Sequence, residues 1–272
     1  MDTKKFQQII WAHYKNNKRD FPWRKTRDPY KILVSEIMLQ QTQALRVVPK
    51  YISFLKKFPT VKALAKAKLK DVLGEWQGLG YNRRALYLKR CAEKIEKDFR
   101  GKFPKDLKIL QTLPGIGPAT AGDIMAFAWN QPAIIIETNI RSVFIRFFFK
   151  DKKRKKKISD KEITPLIEKT LDKQNPREWY FALFDYGAYL KKTSNPSRKS
   201  IHHAKQSKFT GSYRQKRAHI LRIILEKSHK AKTEKQIKDI TQYEPELLFK
   251  ILSDLQKEGF IKKTKSSSYR VA

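Results

Sequence analysis

Leu113-Pro114-Gly115-Ile116-Gly117-Pro118-Ala119-Thr120-Ala121 reads as a tight hairpin between two helices. Leu113 and Pro114 close the first helix. Gly115 and Gly117 suit positive φ and the close approach of another molecule. Pro118 suits the first turn of the next helix, where its missing N–H would be unpaired anyway. The run from Thr120 to Ala128 is small and apolar and packs tightly. A glycine hairpin that ends at a helix N-terminus presents free N–H groups, a ready site for a phosphate. Taken alone, the stretch is equally an ordinary helix–loop–helix corner. Charge tips the balance: the 272 residues include 61 Lys and Arg against 26 Asp and Glu, a formal net charge of +35. An excess spread over the whole length implies a polyanionic partner, nucleic acid first and an anionic membrane surface second.

The remaining totals bound the class. Hydrophobic residues make up 40% of the chain, enough for real cores, and the length suits two domains. No apolar run approaches the ~18 residues of a membrane span. Met1-Asp2-Thr3-Lys4-Lys5 carries no apolar signal core. A single cysteine, Cys91, excludes an internal disulfide and a multi-cysteine metal site. The expectation is a soluble, cytoplasmic protein that works at the nucleoid, with no membrane partner and no metal site.

Outward from the hairpin, the chain is helical. Residues 3–17 form an amphipathic helix with Phe6, Ile9 and Ile10 near one face. Arg19 to Pro29 is a loop. From Tyr30 the helical pattern runs almost without pause, with corners at Pro49, Pro59, Gly78-Leu79-Gly80, Pro104 and Pro114. Asp151 to Lys157 is a basic run read as a solvated loop, residues 158–190 read as two helices, and Lys191 to Lys208 reads as a basic linker. The last sixty or so residues change character. Helices are expected over Arg214–Lys227, Glu234–Ile240 and Pro245–Lys257, then two short strands at Gly259–Lys263 and Ser268–Val271. Three helices followed by a two-stranded wing resemble a winged-helix domain, in which the third helix often enters the DNA major groove; many winged helices bind proteins instead.

Several separated motifs carry a further resemblance: Phe21-Pro22-Trp23-Arg24, Asp28-Pro29-Tyr30, Val34-Ser35-Glu36-Ile37-Met38-Leu39-Gln40-Gln41-Thr42-Gln43, Gly78-Leu79-Gly80-Tyr81, and the hairpin 113–121. In this order they resemble the adenine DNA glycosylases of the MutY type, within the helix-hairpin-helix DNA glycosylase superfamily, over residues 5–190. The resemblance implies a mainly α, two-lobed helix-hairpin-helix glycosylase fold with a small C-terminal winged-helix domain. The expected core is residues 1–208, with lobes 20–130 and 1–19 plus 131–190 and a basic linker over 191–208; residues 209–272 form the winged helix.

The implied activity is base excision from double-stranded DNA by a monomer. The base is flipped out of the duplex and read in a pocket. A leaving base needs a proton and a cation-like sugar needs negative charge nearby, so two carboxyls in different environments are required. Glu36 sits between Val34 and Ile37-Met38-Leu39, where apolar burial would raise its pKa as an acid requires. By its residues alone it is more readily a buried, hydrogen-bonded core carboxyl. The resemblance makes it the acid, makes Arg24 a contact to the flipped base and to that glutamate, and places Trp23 beside them. Where the family has an aspartate, this chain has Glu137, twenty positions past Gly117, and Asn139 matches a family asparagine. A carboxylate at a helix start is favoured by the dipole and stays ionised.

Glycosylases that also cleave the backbone carry a lysine at position 119, which forms a Schiff base; Ala119 implies a hydrolase without lyase activity. Gln40 and Gln41 match a loop that enters the base stack, and Tyr81 and Asn82 a second wedge. Leu113, Gly115, Gly117 and Thr120 belong to the DNA-facing hairpin. The family's four iron–sulfur cysteines are missing after Asp185-Tyr186-Gly187-Ala188, so no cofactor is expected. Its domain for sensing 8-oxoguanine is replaced by the winged helix. The expected substrate is adenine opposite guanine or 8-oxoguanine. Excision of another damaged base, and non-catalytic binding of a lesion or DNA structure, are the competing readings.

Overall fold

The computed structural model describes residues 1–149, 156–226 and 231–272. Residues 151–155 of the basic run, and Lys227 at the end of one expected helix, lie outside the described residues. In chain order the helices are α1 (Thr3–Asn17), α2 (Pro29–Leu39), α3 (Ala44–Lys57), α4 (Val61–Lys66), α5 (Leu69–Trp76), α6 (Arg83–Phe99) and α7 (Leu107–Gln111). They continue as α8 (Pro118–Trp129), α9 (Thr138–Phe148), α10 (Asp160–Thr170), α11 (Pro176–Thr193), α12 (Tyr213–Leu225), α13 (Glu234–Thr241) and α14 (Pro245–Lys257). Strands β1 (Lys232–Thr233), β2 (Ile261–Lys263) and β3 (Ser268–Val271) complete the fold, with 3-10 turns at Pro22–Lys25 and Pro196–Lys199.

These elements fall into two compact units. The first takes residues 1–40 and 103–205, the second residues 41–102 and 206–272. The chain is thus divided at other places than the 1–208 and 209–272 expected from the sequence.

In the first unit α11 packs against α9 and α1, and α8 packs against α2. Its core is aromatic: Phe6 lies 5.3 Å from Phe144, 5.2 Å from Phe147 and 5.9 Å from Trp179, ring centre to ring centre. Phe6, Phe144 and Trp179 are all fully buried. Aromatic side chains bury large apolar areas, and tilted pairs add a modest gain. Caps set the helix starts: Asp2 accepts from the Lys5 amide at 3.1 Å, and Asp28 accepts from the Tyr30 amide at 2.8 Å beside Pro29 at the first turn of α2.

In the second unit α4 and α5 pack on α6, and α12 packs on α5. Trp76, Phe54, Leu64 and Cys91 are buried there. Pro49, expected at a corner, lies inside α3. The buried stripe Val47, Tyr51 and Phe54 outweighs the one backbone hydrogen bond that proline removes. The C-terminal helices and strands form the winged-helix arrangement, with one addition: β1, too short to announce itself in the sequence, pairs with β3, giving an antiparallel sheet of order β1-β3-β2. Among the described residues no helix is long and apolar enough to cross a membrane.

Candidate active site

Elements of the first unit carry three carboxyls into mutual electrostatic range: Glu36 from α2, Asp123 from α8 and Glu137 at the N-cap of α9. Glu36 follows the buried run Ile32 to Ser35 and keeps partial exposure. Burial pushes its carboxyl up to about 8, the Ser35 hydroxyl and Arg24 oppose that rise, and Glu137 adds to it. A carboxyl deprived of water holds its proton, because the charged form is the one that loses solvation. Burial thus favours the protonated form of Glu36, the form a general acid needs.

Glu137 sits differently. Its carboxylate caps α9, accepting from the amides of Asn139 (2.7 Å) and Ile140 (2.9 Å) and from the Asn139 side chain (3.2 Å). Burial raises its pKa; the Asn139 and Ile140 amides, the Arg141 charge and the Asn139 side chain pull it down. The helix start supplies the donors expected of it, yet burial is the larger influence and the net direction is upward. Of the three carboxyls, Glu137 has the most N–H donors, so the site's negative charge rests best on it.

Two supports hold this geometry. The Tyr180 hydroxyl donates to the Ala133 carbonyl and accepts from the Ile135 amide at 3.2 Å, fixing the segment that leads to Glu137. Gly187 lets α11 lie against Asn139: a Cβ there would come within 2.5 Å of the Asn139 carbonyl oxygen.

Other expected site residues are placed otherwise. The Arg24 guanidinium is spent on Asp185 through two bonds of 2.8 Å and on the Arg19 carbonyl at 3.0 Å. It also lies over the Phe181 ring, 4.6 Å from its centre. The sequence motif placed Arg24 beside Glu36 and was silent on Asp185, which comes from 161 positions away. Arg24 acts on Glu36 through its charge. Trp23 is buried and stacked on Phe21 at 4.8 Å, a core position. Leu113 and Thr120 are buried as well; Thr120 accepts from the Gln40 side chain at 3.4 Å. Gly115 has φ +79°, as the hairpin requires. Gly117 does not: its φ is −93°, and the space a Cβ would take is open, leaving room at the start of α8. Ala119 follows in the first turn, half-buried.

Gln41 begins the second unit, exposed and at φ +55°. Tyr81 and Asn82 are half-buried there. Gly78, Gly80 and Tyr81 all take positive φ, and the corner they form is tied by Arg84, which donates to the Leu79 and Gly80 carbonyls at 3.1 Å each. The Tyr81 ring lies between Arg84 (5.6 Å) and Arg214 (5.2 Å), and its hydroxyl accepts from Gln206 and Arg214.

Asp123 and Gly187 escaped the sequence reading. The signal for Asp123 was a lone carboxyl among Ala121, Gly122, Ile124 and Met125, an apolar setting like that of Glu36.

The residues do not fit an iron–sulfur cluster. The one cysteine, Cys91, is buried in α6 with its thiol pushed up to about 12 by burial. After α11 the chain makes instead a turn at Pro196–Lys199 that packs on α9 and pairs Ser200 with Ile158. His202 lies 3.3 Å from Asp160, which Arg141 also holds through two bonds of 2.7 Å. Among the described residues no group of three His, Cys, Asp or Glu is arranged to hold a metal.

The chain matches the family model of the HhH-GPD superfamily base excision DNA repair proteins over residues 34–169. It is 38% identical over 202 residues to an adenine DNA glycosylase of Buchnera aphidicola subsp. Baizongia pistaciae, covering 72% of this chain and 56% of that protein. With the adenine DNA glycosylase of Mycobacterium tuberculosis strain H37Rv it shares 44% identity over 138 residues, covering 50% and 45%. The chain thus spans about half the length of the curated relatives it matches. Among solved structures, a thermostable thymine-DNA glycosylase superposes with a TM-score of 0.64 at 28% identity, covering 74% of this chain and 92% of that one. A non-covalent endonuclease III–DNA complex, at 19% identity, shares the fold, with a TM-score of 0.61 over 72% of this chain and 90% of that chain. With its motifs, its carboxyl site and half of its length under one family model, this chain belongs to the HhH-GPD superfamily of base excision DNA repair proteins.

Proposed function

We propose that this chain is a DNA glycosylase that removes adenine mispaired with guanine or 8-oxoguanine, and that it acts on double-stranded DNA as a monomer by hydrolysis without strand cleavage. One observation carries the reading: a carboxyl that burial shifts toward its protonated form, Glu36, lies in electrostatic range of a carboxylate that N–H groups hold, Glu137. Glu36 gives its proton to a ring nitrogen of the flipped base, so the base leaves neutral. The electrons of the glycosidic bond go to the base, and C1′ is left cation-like. Glu137 stabilises that charge, with Asn139 fixing its carboxylate. Water then adds its hydroxide to C1′, and its proton returns to Glu36, closing the cycle. Ala119 supplies no amine, so no Schiff base forms. Gln41 and Tyr81 are wedges that offset lost stacking once the base is out, and the winged helix adds duplex contacts.

The named activity of the relatives supports adenine. A thymine target is the second reading, favoured by the likeness to a thymine-DNA glycosylase. The test is a panel of duplexes, each with one defined mismatch or lesion, incubated with the purified chain and then treated with alkali. Base release is expected from adenine opposite guanine or 8-oxoguanine, with breaks only after alkali. Release from a thymine mismatch alone turns the reading to thymine. A covalent adduct trapped by borohydride overturns the assignment of position 119. Tight binding with no release anywhere makes the chain a lesion-binding protein.

A further inference from the structure

Asp123 carries a buried carboxyl oxygen, Oδ1, that has no hydrogen-bond partner among the described residues. The residue is 6% exposed. A buried polar oxygen left unpaired is costly, and native chains pair nearly all of theirs. Gly122 shows how closely α8 is seated: a Cβ there would meet Ile135 Cγ1 at 2.8 Å and the Ile134 carbonyl at 3.3 Å. That contact fixes the rotation of α8 and keeps Asp123 with Glu36 and Glu137.

Two donors on α11, which packs against α8, are engaged elsewhere. The Tyr180 hydroxyl is engaged with Ala133 and Ile135. The Arg177 guanidinium donates to the carbonyls of Phe127, Arg24 and Thr26. Arg24 itself serves Asp185.

We infer that Asp123 is a further base-contacting residue of this site: its carboxyl finds its missing partners in the extruded base, accepting from an exocyclic amine and, in its acid form, donating to the adjacent ring nitrogen. A carboxylic acid and an aminopurine edge match in this way, donor to acceptor and acceptor to donor. Burial, with Glu36 and Glu137 nearby, favours the acid form of Asp123. A site built to pair with such an amine discriminates against a base that lacks it, because its own buried groups would stay unpaired. The inference rests on the adenine reading and adds a residue that sets base choice.

The experiment measures single-turnover base release by the full chain from duplexes holding either adenine or unsubstituted purine, which lacks the amine. The wild-type preference for adenine is compared with that of Asp123→Ala and Asp123→Asn, so any intrinsic difference between the two bases cancels. Asp123→Ala should shrink the preference about tenfold or more, while its melting temperature stays level or rises, since Oδ1 has no partner among the described residues. Asp123→Asn, nearly isosteric with both a donor and an acceptor, should keep part of the preference, and it reports even where the alanine variant fails to fold. An unchanged preference in both variants overturns the inference and leaves the adenine reading intact. A fall in melting temperature for both, with the preference unchanged, makes Asp123 a structural residue. Release of neither base by the wild type sinks the adenine reading and the inference together.

Discussion

Two buried carboxyl settings lie in the same compact unit and behave in opposite ways. Asp185 is almost fully enclosed and receives bonds from the guanidinium groups of Arg24 and Arg19 and from the Arg19 amide. Burial would raise its pKa, but the Arg24 bonds, the Arg24 and Arg19 charges and the Arg19 amide bring it below the usual carboxylate range. Glu36 and Asp123 have no such guanidinium bonded to them, and burial drives both upward. Burial alone therefore does not decide the charge of a carboxyl; the donors that come with it do. One setting serves as a fixed anion that anchors Arg24. In the other, burial favours the protonated form.

The largest effect expected on that contrast comes from Glu36→Gln, which keeps the shape and removes the proton. Base release should fall by about 10²–10⁴-fold in a single-turnover assay, with duplex affinity within a few fold of wild type. The same variant has a signature in stability. A carboxyl whose folded pKa lies above its unfolded value contributes stability that is full below the unfolded pKa and is lost as pH rises through the folded one. For Glu36 that loss runs from the ordinary value near 4.5 up to about 8. Glu36→Gln should thus gain melting temperature relative to wild type as pH rises across this window. A constant difference across the scan would place the proton elsewhere.

Asp185→Asn tests the other side. It leaves two arginines without their shared anion, one of them buried, and should cost about 3–5 kcal/mol in denaturant unfolding near neutral pH. For a lowered pKa the sign reverses: the stability is present above the unfolded value and lost as pH falls through the folded one. The penalty should shrink in acid. A penalty equal at all pH values would show that the shape of the carboxyl matters and its charge does not.

Gly187→Ala is a smaller change, aimed at the Glu137 cap without touching a charge. The new methyl must push Asn139 aside, and an error of ~1 Å in placing a catalytic group costs ~10²-fold in rate. Turnover should fall by about that factor while KM changes little. Wild-type turnover would show that the cap tolerates the shift.

Much of this was legible in the chain. Helix α1 spans the residues its apolar spacing indicates, and the C-terminal helices and wing strands follow the sequence pattern, because periodicity and punctuation are local signals. Glu36 was legible through the resemblance of the stretch Val34 to Gln43 to the family motif, since by its residues alone it reads as a core carboxyl. The Arg24–Asp185 pair was not, since it joins residues far apart in the chain and depends on how the 3-10 turn at Pro22–Lys25 meets α11. Pro49 misled because a strong buried stripe overrides a local breaker. Asp123 was overlooked inside a run read as uniformly apolar. Its meaning comes from its neighbours, which only the fold brings together.

The cap on α9 has a consequence for how the resting protein can be watched. One oxygen of Glu137 holds the amide protons of both Asn139 and Ile140. Those two protons exchange with solvent only when the helix start opens, and a protonated carboxyl is a weaker acceptor than an anion. The exchange rates of Asn139 and Ile140 therefore follow the ionisation of Glu137. Two backbone amides report the charge in the site continuously, with no DNA present and no base removed.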